Sequence, residues 1–373
     1  MQETTLLVGT TKGAFLLSDS ATGWQLRGPF CDGWPINHII GSGQTLWAAG
    51  GSDWHGAGVW TSTDGGATWA LTKLANGQGD AWLAENPEIA AHIGMTAAAP
   101  APYTGRITAI WSLHKTSDTL YAGAKPATLL QSRDAGASWS VVEGLTDHPS
   151  GHSWEPGAAG LTLHTILSDP ENPQHLWVGI SAAGVFASED GGETWDRRNR
   201  LANDAAHGDC GHDVGYCVHN MARAGGSDLI YQQNHHGVFR SPDGGRSWHD
   251  ISAGLPSTFG FPIAVNPHDP AMIWTLPLNG DTKGRYPPDA RALVWKSRDG
   301  GDTWQGFGSG LPDRNCFFTV LRQAMATDRN QPAGLYFGTN SGSVFASRDE
   351  GESWTTAAQH LPTVLCVETL QPA

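Results

Sequence analysis

The sequence predicts an all-β chain, a seven-bladed β-propeller of four-stranded antiparallel blades, on three observations: its composition, an eight-residue repeat, and the strand pattern between repeats. The 373 residues include 48 Gly, 22 Pro and 17 Trp, and only 16% are charged, which suits many short strands joined by Gly-rich turns. One domain spanning residues 1–373 accounts for the length, because a propeller is one large repeat fold.

The repeat is Ser-x-Asp-x-Gly-x-Thr/Ser-Trp. It occurs as Ser62 to Trp69, Ser132 to Trp139, Ser188 to Trp195, Ser241 to Trp248, Ser297 to Trp304 and Ser347 to Trp354. Successive Asp residues are 70, 56, 53, 56 and 50 positions apart. The Asp can accept from nearby amides, the glycines allow positive φ, and the Trp can pack back over the turn. Two apolar strands precede each copy, such as Thr45-Leu-Trp-Ala-Ala-Gly and Gly58-Val-Trp-Thr. An inner-strand candidate stands earlier still, as in Ile36-Asn-His-Ile-Ile. Four strands per unit make one blade.

The seventh blade is split between the ends of the chain. Thr4-Leu-Leu-Val-Gly-Thr-Thr and Gly13-Ala-Phe-Leu-Leu read as second and third strands, leading to a shortened repeat from Ser18 to Trp24. Pro362-Thr-Val-Leu-Cys-Val-Glu368 supplies the missing inner strand. Closure of this kind leaves no exposed strand edge, so folding requires no oligomer.

Charge and targeting signals exclude several functions. The formal charge of −14, with no basic stripe, disfavours nucleic acid. No apolar run reaches the length of a membrane span. The start, Met1-Gln-Glu-Thr-Thr-Leu-Leu-Val-Gly, lacks a basic stretch and an apolar core, and five scattered cysteines argue against a disulfide framework. A cytoplasmic location is the expectation.

The repeats resemble those of the sialidase-type, or BNR-repeat (Asp-box), superfamily. That superfamily holds sialidases, xyloglucan-cleaving glycosidases, sortilin-like receptors and photosystem II assembly factors. The resemblance implies a propeller but no single activity, because these boxes are structural. It points to a branch without the sialidase arginine motif: the segment Gly9-Thr-Thr-Lys-Gly-Ala-Phe15 has no arginine, and the first arginine is Arg27.

In an up-and-down blade, the loops between blades and those between second and third strands share one face. The long insertions, residues 73–105, 146–160, 199–216 and 279–291, all belong to it, and function concentrates on such insertions. Histidines gather there too. His38, His164 and His219 are read as equivalent inner-strand positions converging on the axis, with His235 and His236 at the end of a second strand. They would hold a divalent transition metal (Zn, Fe, Mn, Ni or Cu), or else fill a polar channel by hydrogen bonding. No organic cofactor is indicated. Glu155, Asp213 and His212 are the candidate catalytic groups. Cys210-x-His212 and Cys217-x-His219 form a second candidate cluster, although the spacing departs from a Cys-x2-Cys knuckle. A buried cysteine beside a channel histidine is its simpler reading. Arg106, Lys283, Arg285, Tyr286, Arg314 and Trp154 are candidates for binding a small polar or sugar-like substrate. The expected function is that of a hydrolase or lyase on such a substrate, other than a true sialidase. The competing expectation is a propeller that binds ligand or protein without catalysis.

Overall fold

The computed structural model describes residues 4–203 and 213–370. Among them, seven antiparallel sheets form a ring of blades, each starting at an inner strand. The inner strands of blades 1 to 6 are Ile36–Ser42, Ala109–Lys115, Leu163–Ser168, Val218–Arg223, Gly260–Asn266 and Met325–Thr327. Blade 7 joins the C-terminal strand Val364–Thr369 to Thr5–Thr10, Gly13–Ser18 and Gln25–Phe30, so the ring closes across the two ends as expected. Blade 4 carries a fifth strand, Leu201–Asn203, which lies parallel to Trp248–Asp250. The first insertion holds two short helices, Gln78–Glu85 and Pro87–His92.

The six repeats form one kind of turn. In each, the Ser hydroxyl accepts from the amide four residues on, as in Gly66 N to Ser62 Oγ at 2.9 Å and Gly245 N to Ser241 Oγ at 2.7 Å. The Asp carboxylate accepts from the backbone and hydroxyl of the Thr or Ser that closes the turn, as at Asp64 and Thr68. The two residues after the Asp both have positive φ: 68° and 87° at Gly65 and Gly66, 58° and 96° at Ala135 and Gly136. Glycine suits this backbone best, so Ala135 and Glu350 (φ 59°) are held there by the surrounding bonds.

These turns also fasten neighbouring blades. The carbonyl just after the box Asp accepts from the preceding blade in five cases. Trp47, Trp177 and Trp274 donate their indole N–H to Ala135, Gly244 and Glu350 at 2.8, 2.8 and 2.9 Å. Arg27 and Arg240 do the same toward Gly65 and Gly300. Apolar faces of successive blades pack between these clamps; one core runs from Leu6 and Leu17 to Trp274, Phe337 and Val367, uniting blades 5, 6 and 7. The turns thus act at the rim, away from the insertions.

Candidate functional site

A β-bulge interrupts the inner strands of blades 1 to 5 near their start, where the register slips between Ile36 and His38, Ile110 and Ser112, Leu163 and Thr165, and Val218 and Asn220. His164 and His219 are therefore equivalent to Asn37 and Trp111, whereas His38 aligns with Ser112, Thr165 and Asn220. The expected three-fold equivalence of His38, His164 and His219 fails by one residue. A bulge is invisible in the hydrophobic pattern, and it re-aims every side chain after it.

Most of these polar groups bind the next blade. Asn37 Nδ2 donates to Ile110 O at 2.8 Å, and Ser112 Oγ to Leu163 O at 3.0 Å. His164 Nε2 meets Val218 O at 2.8 Å and His219 Nδ1 meets Gly260 O at 2.6 Å, so each ring donates there. His164 Nδ1 lies 3.0 Å from Thr165 Oγ1, which leaves both its nitrogens occupied by protein. His38 instead accepts Leu113 N at Nδ1 (2.8 Å) and meets the Glu368 carboxylate at Nε2 (3.2 Å). Among the described residues, His38 and His164 do not join a group of metal-ligating atoms. Burial disfavours the imidazolium, and the nearby Arg322 charge adds to this; together they push the pKa of His164 down to about 3.

The channel is crossed by a polar bar. Thr165 donates to Asn220 Oδ1 (2.9 Å), Asn220 Nδ2 donates to Arg322 O (2.7 Å), and the Gln323 amide donates to His164 O. Blade 6 thereby reaches blades 3 and 4 across the axis. On one side lies a cavity of about 660 Å³, bordered by Thr165, Asn220, Gln323, His38 and Glu368. Its rim includes Pro170, Gly226 and Pro267, from turns between first and second strands, so it opens away from the insertions.

On the insertion side of the bar, Cys217, His219 and His235 bring one ligand atom each within 4.8 Å of one another. Cys217 Sγ is 3.6 Å from His219 Nε2, and His235 N donates to Cys217 O at 3.0 Å. Phe259 and Phe261 wall the group, their rings centred 5.3 and 4.7 Å from that of His219. Arg322 lies over Phe261 at 4.8 Å with its Nε buried and unpartnered, and Arg285 lies over the same ring at 5.7 Å. Asp281, from the 279–291 insertion, pairs with Arg285 and stands 3.9 Å from His235 Nε2. Burial first, then the Arg322 charge, depresses the pKa of His219; burial also lowers that of His235 and brings Arg322 to about 10.

His236 packs against His235, ring centres 5.2 Å apart, but faces a neighbouring pocket of about 840 Å³. Asp213, Gly215, Asp250, Ser252 and Thr258 also line it. Asp213 accepts the Tyr216 hydroxyl, and Asp250 Oδ1 accepts Ser252 N at 2.7 Å. The remaining predicted residues are dispersed. Glu155, Arg106, Lys283 and Arg314 are exposed. Trp154 packs on Phe186 (5.1 Å) and His148, and Tyr286 on Phe317 (5.1 Å). His212 and Cys210 lie outside the described residues. Sequence reasoning missed Asp250, Arg322 and Gln323. Asp250 ends an outer strand, and the other two sit in the irregular approach to a three-residue inner strand. No motif marks any of them.

No protein-family profile matches the chain. A xyloglucanase from a Paenibacillus species is 28% identical over 230 residues, which is 54% of this chain and 20% of that protein. A second, from Hypocrea jecorina, is 21% identical over 87% of this chain and 41% of its own length. Among solved structures, the GH74 xyloglucanase from Xanthomonas campestris superposes with a TM-score of 0.62 at 17% identity, covering 95% of this chain and 52% of that one. The likeness shows a shared propeller architecture. This chain spans less than half the length of both curated relatives.

Proposed function

We propose that this propeller is a carbohydrate-active hydrolase working from its insertion face. The observation that carries the reading is the convergence of two carboxylates, Asp213 and Asp250, and the imidazole of His236 on one pocket of about 840 Å³. Glycosidic cleavage asks for such groups: one to deliver a proton to the leaving oxygen, and one to activate water or attack the sugar. The volume falls in the range of small-ligand pockets. Asp213, steadied by the Tyr216 hydroxyl, is assigned to the base or nucleophile side. Asp250 and His236 are the candidates for the proton donor. The xyloglucanase relatives support a glucan as the substrate class. Two tryptophans of the same face, Trp54 and Trp82, are 53% and 38% exposed and offer flat surfaces to sugar rings.

The test is release of reducing ends from xyloglucan oligosaccharides and other β-glucans by the full chain, beside Asp213→Asn and Asp250→Asn. Each variant should lose roughly 100-fold or more in rate while its melting temperature holds, as loss of an acid–base group does. Variants as active as the parent, or a parent that neither cleaves nor binds any sugar of the panel, would refute the reading.

A further inference from the structure

We infer that Cys217, His219 and His235 form a tetrahedral binding site for a thiophilic divalent metal of the Zn²⁺ class, separate from the carboxylate pocket. Bonds of about 2.3 Å to thiolate sulfur and 2.0–2.1 Å to imidazole nitrogen, set at a tetrahedral angle, hold the two donors about 3.6 Å apart. Cys217 Sγ and His219 Nε2 are 3.6 Å apart. The third ligand belongs to the same set, since all three donor atoms lie within 4.8 Å of one another.

The outer contacts fit the same assignment. His219 donates Nδ1–H to Gly260 O at 2.6 Å, which fixes the tautomer and leaves the Nε2 lone pair toward the sulfur. A ligating histidine is normally oriented by such a backbone carbonyl. The His235 amide donates to Cys217 O, so the two segments are tied at the backbone before any metal arrives. Thiolate plus imidazole selects Zn²⁺ and its analogue Co²⁺ over the oxygen-seeking Mg²⁺ and Ca²⁺. Asp281, 3.9 Å from His235, supplies with the thiolate the two negative charges that balance the ion beside Arg322 and Arg285. Three protein ligands leave a fourth position for water or for a ligand entering past His235, whose side chain is 37% exposed.

Titration of the metal-stripped full chain with Co²⁺ alone tests the site. The parent should bind one equivalent and show both the intense visible bands of tetrahedral cobalt and a thiolate-to-cobalt charge-transfer band. Cys217→Ser should lose the charge-transfer band, and His235→Ala should weaken binding at least roughly tenfold. His219 also bridges blades, so these two variants, with melting temperatures as fold controls, carry the test. A parent that binds no cobalt, a charge-transfer band that survives in Cys217→Ser, or an affinity unchanged in His235→Ala would each overturn the assignment. Glycan turnover is read separately, so failure here leaves the carboxylate pocket standing.

Discussion

At the residue scale, one atom pair decides what a channel histidine does. His164 and Asn37 hold homologous bulge positions, and both donate to the next blade's carbonyl at 2.8 Å. His164→Asn should therefore fold and keep the bridge, whereas His164→Ala should cost about 2–3 kcal/mol by leaving Val218 O unpaired in a buried site. The two substitutions also differ with pH. The folded-state pKa of His164, about 3, lies below its unfolded value of 6.5. The unfolded chain therefore takes up a proton first on acidification. The stability that neutral His164 contributes is complete above pH 6.5 and falls as pH drops toward 3, by about 1.4 kcal/mol per unit at most. Denaturant midpoints between pH 7 and pH 4 should fall less steeply in His164→Asn; equal slopes would remove His164 from the account.

At the element scale, the repeated turn is a clamp between blades. The carbonyl after its Asp is held out by two residues of positive φ and receives an indole or guanidinium from the blade before. Trp177, 4% exposed, shows the arrangement: its Nε1 reaches Gly244 O at 2.8 Å. Trp177→Phe keeps most of the apolar contact and removes the donor. An unfolding free energy lower by about 0.5–1.5 kcal/mol is expected by equilibrium denaturation, the net worth of one hydrogen bond, because Gly244 O still accepts from Arg198 Nη1 at 2.8 Å. No loss would mean that the clamp is geometry without energy.

At the scale of the whole molecule, the ring is closed by its ends. Val364–Thr369 pairs with Thr5–Thr10, and Glu368 reaches His38 in blade 1 at 3.2 Å. A chain ending at Leu361 would leave Thr5–Thr10 as a bare edge and open the core shared by blades 5, 6 and 7. It should lose cooperative melting and associate, as seen by calorimetry and size-exclusion chromatography. A truncated chain that melts like the parent would show that six blades and a fragment close by themselves. The cross-axis bar of Asn220, Arg322 and Gln323 belongs to this scale as well, since it exists only once blades 3, 4 and 6 are assembled.

The repeats themselves specified seven blades, the split closure and the face bearing the insertions. Each of those depends on short-range patterning: a turn with its own hydrogen bonds, strands of period two, and regular spacing. The same local signals placed Cys217, His219 and His235 on one blade, because residues two apart in a strand share a side and a hairpin returns to its start. What the sequence could not show is where inner-strand side chains aim. A one-residue bulge sent His38 to Glu368 and His164 to a carbonyl. Nor could it bring Arg322 over Phe261, for these meet through a contact between blades 5 and 6. Local chemistry writes the scaffold. The candidate pocket is decided by how blade 4 packs with its flanking connections, because Asp213, His236 and Asp250 stand at the ends of separate strands and loops that only the folded blade brings together.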